Sequence, residues 1–184
     1  DLQEIDLYKK SVDNDKLIIS ICRGHQLCAV LNGASLIQHV NNHSGYHQVK
    51  NFDNTTCVTN SIHHQMVNPW KLDKEKYLLL QWTEGISNTY LNGENQEIEF
   101  SLEAFTDEGL IKEVESLYFP DTKCLTFQHH PEMLGYSRGW SWNIENQNDI
   151  HTLDYLNNII KQIIEDEKSF IKTYNEVVKT NQHF

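Results

Sequence analysis

Apolar residues recur along this chain in more than one rhythm. At the start, Leu2, Ile5, Leu7 and Val12 fall at loosely helical spacing, and a polar, turn-like stretch from Ser11 to Asp15 follows. Leu17-Ile18-Ile19-Ser20-Ile21 is a short β-branched run, the pattern of a strand buried on both faces. Residues 24–32 then place Leu27, Val30 and Leu31 on one helical face, with Gly33 at the C′ position. A buried strand thus feeds directly into a helix, with Cys22-Arg23-Gly24 at the junction.

Further on, Cys57–Thr59 and Tyr77–Trp82 read as strands. Ile98–Phe105 and Leu110–Leu117 read as another pair, joined by the turn-like Thr106-Asp107-Glu108-Gly109. Lys123–Gln128 is a strand that runs into His129-His130-Pro131-Glu132. Residues 133–149 have little periodicity but carry Tyr136, Trp140 and Trp142, which are expected to border a pocket or a subunit contact. The tail, about 150–178, is an amphipathic helix in which Leu153, Leu156, Ile159, Ile160, Ile163, Ile164, Phe170, Ile171, Tyr174 and Val178 recur at threes and fours. Its stripe is expected to pack on the sheet. Strands interleaved with helices predict an α/β fold with a mostly parallel central sheet, and residues 1–184 carry no linker that would divide them into two domains.

Charge narrows the class of partner. The 15 Lys+Arg against 26 Asp+Glu leave a net charge of −11, which argues against nucleic acid or an anionic membrane surface. Apolar runs stop at about six residues, against the roughly 20 that span a membrane. Cys22, Cys28, Cys57 and Cys124 are scattered, with no CxxC pair, which fits free thiols in a reducing, cytoplasmic setting.

Two places carry chemistry. A cysteine on a sharp turn between strand and helix is presented at the positive end of the helix dipole, and both features favour thiolate. A packing cysteine at a strand end fits the same junction. In an extended His130-Pro131-Glu132, residues i and i+2 share a face, so Glu132 can hold the His130 imidazole while His129 points away. A surface histidine before a proline turn fits those residues equally. Both pieces follow strand C-termini, where sites on open α/β sheets lie.

Together, Ser20-Ile21-Cys22-Arg23-Gly24-His25-Gln26 and Gln128-His129-His130-Pro131-Glu132 resemble the class I glutamine amidotransferases. Gly33-Ala34-Ser35-Leu36-Ile37-Gln38-His39 extends the resemblance. Asn60-Ser61-Ile62-His63-His64-Gln65 is similar to a stretch of the branch that hydrolyses γ-glutamyl-γ-aminobutyrate-type amides.

The resemblance implies a flavodoxin-like three-layer fold and cysteine-dependent hydrolysis of a small-molecule γ-glutamyl amide through a Cys22 thioester. His130 would be the base, Glu132 its orienting partner, and the Arg23 backbone N–H an oxyanion donor. Gln26, Asn60, Ser61, His63, His64 and Gln65 would line the substrate side. No cofactor is implied. A metal on His63, His64 and His129 has the ligand types but not the spacing, so none is expected. A glutaminase subunit feeding a separate synthetase, or a non-catalytic scaffold, are the competing readings. Two departures stand out: Ser20 replaces a usual glycine, and His129 an apolar or aromatic residue. The family also places strands and a glycine-rich loop ahead of the nucleophile, where this chain has 21 residues. The expectation is an N-terminally incomplete domain, with a homo-oligomer or second chain as a source of that segment.

Overall fold

In the computed structural model of the chain, residues 2–84, 87, 89–91, 97–99, 112–135 and 146–181 are described. Helix α1 (Leu2–Asp13) leads into β1 (Ile18–Ile21) and α2 (Arg23–Leu31). The strands β2 (Ser35–Ile37), β3 (His39–Val40), β4 (Ser44–Asn51), β5 (Thr56–Ile62), β6 (Met66–Asn68) and β7 (Leu78–Glu84) follow. After β8 (Thr89–Leu91) and β9 (Glu97–Glu99) come β10 (Lys112–Phe119), β11 (Cys124–Phe127) and the long α3 (Gln147–Asn181).

The main sheet has the order β1-β11-β10-β7-β4-β5. The α/β expectation holds, and the sheet is mixed. β1 and β11 pair in parallel, with Ile18 opposite Cys124 and Ile21 opposite Phe127. The β10–β11, β10–β7, β4–β5 and β4–β7 pairings are antiparallel. The short connections at 52–55 and 120–123 can only join antiparallel neighbours, whereas a parallel pair needs a long crossover, here everything from α2 to β10. Where the sequence suggested that Ile98–Phe105 and Leu110–Leu117 pair with each other, β9 pairs with β8 and β10 with β7 and β11. The turn expected at 106–109 lies outside the described residues.

Alternation along the central strands sends side chains to two cores. Leu79, Leu117, Phe119 and Cys124 face Cys28 and Ala29 of α2. Leu78, Leu80, Tyr118, Leu125 and Phe127 face Leu156, Ile159, Ile163 and Phe170 of α3. The sheet therefore sits between helices on both faces, and each large buried apolar side chain stabilises this layering by about 1.5–3 kcal/mol. β1 departs from the expectation of burial on both faces. It is the edge of the sheet, and Ile19 is 46% exposed.

α3 carries the stripe that its periodicity promised, with two refinements. Leu156 is buried and Ile160 partly so, but Ile164 is 66% exposed. The helix also breaks at Asp166 (φ −157°, ψ 84°), whose carboxylate accepts the Ser169 N–H at 3.0 Å. That is an N-cap, so a fresh helical segment starts there. No helix among the described residues is long and apolar enough to cross a membrane.

The contrast between Leu156 and Ile164 gives a direct test. Leu156→Ala should cost about 2–5 kcal/mol in urea unfolding, because it opens a cavity against the sheet. Ile164→Ala should stay within about 0.5 kcal/mol.

Candidate active site

Everything at this site hangs from the ends of β1 and β11. Ile21 and Phe127 are register partners, so the residues that follow them, Cys22 and Gln128, emerge side by side. The Cys22 N–H extends the ladder by one bond, to Phe127 O at 2.7 Å. The backbone then turns sharply. Cys22 has φ 51° and ψ −109°, a left-handed conformation that costs a non-glycine residue about 1–3 kcal/mol. Its carbonyl at once accepts the Gln26 N–H at 3.1 Å and so starts α2. The strain is held by regular structure on both sides, as in a nucleophile elbow.

The elbow does not make Cys22 a free thiolate. Burial pushes the thiol up, the Arg23 backbone N–H pulls it down, and the Glu132 charge pushes it up again, for a net upward shift. The expectation that the turn and the helix dipole favour thiolate is corrected here. Half-burial outweighs the pull of the Arg23 N–H, because a charged sulfur loses water that one N–H does not replace. The Arg23 side chain turns away, to an ion pair with Glu4 of α1.

His130 follows β11 by three residues and is held twice. Its Nδ1–H donates to Glu132 Oε1 at 2.7 Å, which leaves Nε2 as the basic atom. Asn60 of β5 grips its backbone from both sides: the side-chain amide donates to His130 O at 2.8 Å, and Asn60 Oδ1 accepts the His130 N–H at 2.7 Å. No hydrogen bond joins Cys22 Sγ to the His130 ring. Besides the Arg23 N–H, Gln128 Nε2 donates to the sulfur, at 3.9 Å.

The other expected residues fall into two groups. Gln26 is buried, and its amide donates to Gln65 O and to Gln128 Oε1, each at 3.1 Å. Ser61 is buried, with a hydroxyl that has no hydrogen-bond partner. The Gln65 side chain donates to Gln38 at 2.9 Å. His63 is mostly buried, with Nδ1 on Gln65 O at 2.9 Å, and burial lowers its pKa to about 4. His64 is exposed and lies against the His39 ring, 5.9 Å between centroids. Tyr136–Trp142 lies outside the described residues.

A buried imidazole and carboxylate cluster beside the elbow was not foreseen. His43, His47, His63 and His129 surround Glu115 of β10, and Glu113 bonds His43 at 2.5 Å. Burial drives the Glu115 carboxyl up, but the neighbouring His129 and His47 imidazoles outweigh it and hold the group below the usual carboxylate range. His25 is also inside, its Nδ1 on Thr126 Oγ1 at 2.7 Å, and burial lowers its pKa to about 3. Gln128 stands in the motif without an expected role; its amide links Gln26 to the sulfur. The one sequence signal for the cluster was Lys112-Glu113-Val114-Glu115, two acids at i, i+2 in an otherwise apolar strand.

Residues 1–132 match the Peptidase C26 family, a span that holds Cys22, Asn60, His130 and Glu132. The chain belongs to the Peptidase C26 family. That membership agrees with the class I glutamine amidotransferase resemblance of its motifs. Protein NtpR of Enterococcus hirae is 32% identical over 135 residues, which cover 72% of this chain and 54% of that protein. The chain thus spans about half the length of the curated relative it matches. Among solved structures, a GMP synthase subunit protein of Thermoplasma acidophilum superposes with a TM-score of 0.48 at 13% identity, over 89% of this chain and 68% of that one. A glutamine amidotransferase of Thermotoga maritima gives a TM-score of 0.46 at 13% identity, over 97% and 63%.

Within this Peptidase C26 chain, Cys28, Cys57 and Cys124 are buried and Cys22 is half-buried. Iodoacetamide should therefore label Cys22 first, as read by peptide mass spectrometry. Because the thiol is shifted upward, its labelling rate should keep climbing above about pH 8.5, the ordinary thiol range, rather than level off near neutrality.

Proposed function

We propose that the protein hydrolyses a γ-glutamyl amide, glutamine or a γ-glutamyl amine, through a thioester on Cys22. The observation that carries this reading is the pairing of a strained Cys22 elbow on β1 with a Glu132-oriented His130 after the adjacent parallel strand β11. Membership of the Peptidase C26 family supports cysteine-dependent amide hydrolysis. The γ-glutamyl specificity rests on the resemblance of residues 60–65.

In this reading, His130 Nε2 takes the thiol proton as sulfur attacks the γ-carbonyl carbon. The Arg23 N–H meets the developing oxyanion. The tetrahedral intermediate collapses, the C–N bond breaks, and the proton on His130 passes to the leaving amine. Water then attacks the thioester, with His130 again as base, and releases glutamate and the free thiol. An elevated thiol pKa suits this order, since the proton leaves in step with attack. In this reading Sγ and Nε2 come within hydrogen-bond reach only when substrate occupies the site, since catalytic hydrogen bonds commonly form fully only in the complex. Asn60 sets the height of His130, and Gln26 and Gln128 set the direction of the sulfur. Ser61 and His63 act from behind, while His64 and Gln65 stand nearer the surface and meet the substrate.

The complete protein should turn over at least one of glutamine and a panel of γ-glutamyl amines, followed as amine release. Cys22→Ala should abolish turnover and keep the fold. His130→Ala should lower kcat by about 10²–10⁴, the range of general acid–base catalysis. Glu132 is half exposed, so water replaces part of its role, and Glu132→Gln should cost less than the loss of His130. Unchanged turnover in Cys22→Ala defeats the proposal.

A second expectation follows from the grip on His130. Asn60→Ala should lower kcat more than it raises KM, because it displaces the base and leaves the nucleophile in place. Steady-state kinetics on the best panel substrate measures this split.

A further inference from the structure

We propose that His43, His63 and Glu115 bind one divalent transition-metal ion of the zinc class, with two ring nitrogens and one carboxylate oxygen as its ligands. The inference is independent of the amide chemistry. These three ligand atoms lie within 4.8 Å of one another.

The hydrogen bonds behind the three residues settle which atoms face inward. His63 Nδ1 sits 2.9 Å from Gln65 O, so it carries the hydrogen and Nε2 holds a lone pair; that Nε2 is buried and has no hydrogen-bond partner. His43 Nε2 donates to Glu113 Oε2 at 2.5 Å, so Nδ1 holds the lone pair, and it too is buried without a partner. Glu115 Oε1 accepts from His47 Nε2 at 3.0 Å, and its Oε2 is buried without a partner. Each inward lone pair is thus backed by a carbonyl, a carboxylate or an imidazole on the far side. That is how outer partners fix the tautomer and direction of metal-binding side chains.

Hydrogen bonds within the cluster do not satisfy these atoms. His43 Nδ1 stands 3.8 Å from Glu115 Oε1, and His129 Nδ1 stands 3.8 Å from Glu115 Oε2, both beyond hydrogen-bond length. Lone pairs gathered this closely repel, and a cation reverses the sign of that interaction. Ligand atoms around tetrahedral zinc lie about 3.4 Å apart, given bonds of about 2.0–2.2 Å, so binding contracts the widest pair by at most about 1.4 Å. Two imidazoles and a carboxylate select a transition metal over magnesium or calcium, which take oxygen.

The position explains what the ion would do. His43 precedes β4, His63 follows β5, and Glu115 is the residue of β10 skipped in its register with β7. β4 pairs with β7 at Lys50 and Asn51, and the Thr83 hydroxyl donates to Gln48 O at 3.1 Å. The ion would tie the start of β4 and the end of β5 to β10. It would also fix Gln65 O, which accepts from both His63 and the Gln26 amide that leads to Gln128 and the thiol.

The test uses the full-length protein with any histidine tag removed, stripped with chelator and dialysed against Zn²⁺ or Co²⁺. Elemental analysis should find about one metal per chain in the unaltered protein, in His64→Ala and in Cys22→Ala. His43→Ala, His63→Ala and Glu115→Gln should lose it while their circular dichroism matches the unaltered protein. The melting temperature should rise with Zn²⁺ in the first group only. The Co²⁺-loaded unaltered protein should show intense visible bands of low coordination number, a readout that needs no variant to fold. Metal content well below one per chain, equal content in the three ligand variants, or a spectrum like that of aqueous Co²⁺ would each overturn the proposal.

Discussion

One hydrogen bond, from the Cys22 N–H to Phe127 O at 2.7 Å, decides where the chemistry-bearing residues stand. It is the last rung of the parallel β1–β11 ladder, and beyond it the two strands part. β1 goes directly into α2, so Cys22 must reverse direction within one residue, and its left-handed backbone is the result. β11 instead runs on through Gln128 and His129 to His130, where Asn60 of β5 fixes the backbone. Without the register of Ile21 against Phe127, the elbow and the His130 segment would have no fixed separation. The apolar layers on each face keep that register, because a one-residue slip of β11 would turn Leu125 and Phe127 away from α3.

The second constraint is the polar interior. Glu113 and Glu115 lie on the central strand β10, where apolar side chains would pack more cheaply. The irregular register between Val114 and Ser116 is what makes this arrangement geometrically workable. A bulge re-aims the side chain of the strand that carries it, and here it points Glu115 among four imidazoles from three other segments. The Glu115 carbonyl is not lost to the irregularity, since it accepts the Gln128 N–H at 2.8 Å. The same residue thus anchors the backbone at the start of the His130 segment and centres the cluster beneath it.

How much of this could be read from the sequence depends on which residues encode it. Leu17–Ile21, residues 24–32 and the tail stripe each formed the expected element, but α2 buries His25, Gln26, Cys28 and Ala29 rather than the Leu27, Val30 and Leu31 face, and Val30 is 43% exposed. Cys22 and His130 were named from local signals, a strand-to-helix junction and an i, i+2 spacing; Pro131–Met133 is a single 3₁₀ turn rather than extended, and that turn, not a shared strand face, brings Glu132 to the His130 ring. β4 was not legible: Ser-Gly-Tyr-His-Gln-Val-Lys-Asn has almost no apolar alternation, and it is a strand because β5 and β7 pair with it. The balance of parallel and antiparallel pairing was hidden for the same reason, since pairing partners are separated by up to about a hundred residues. The imidazole cluster drew its members from residues 43, 47, 63, 115 and 129, which no short spacing relates.

The elbow and the cluster also bear on each other through a single carbonyl. Gln65 O accepts His63 Nδ1–H on one side and Gln26 Nε2–H on the other. An acceptor shared by two donors is held in place by both, so the Gln26 amide cannot swing toward the thiol without loosening His63. Gln26 in turn leaves Gln128 Nε2 free to face the sulfur, because Gln128 Oε1 is occupied. The orientation of the dipole nearest Cys22 is therefore set by a buried histidine at the far end of this short chain of hydrogen bonds. Any change that displaces that histidine therefore acts on the amides nearest the nucleophile.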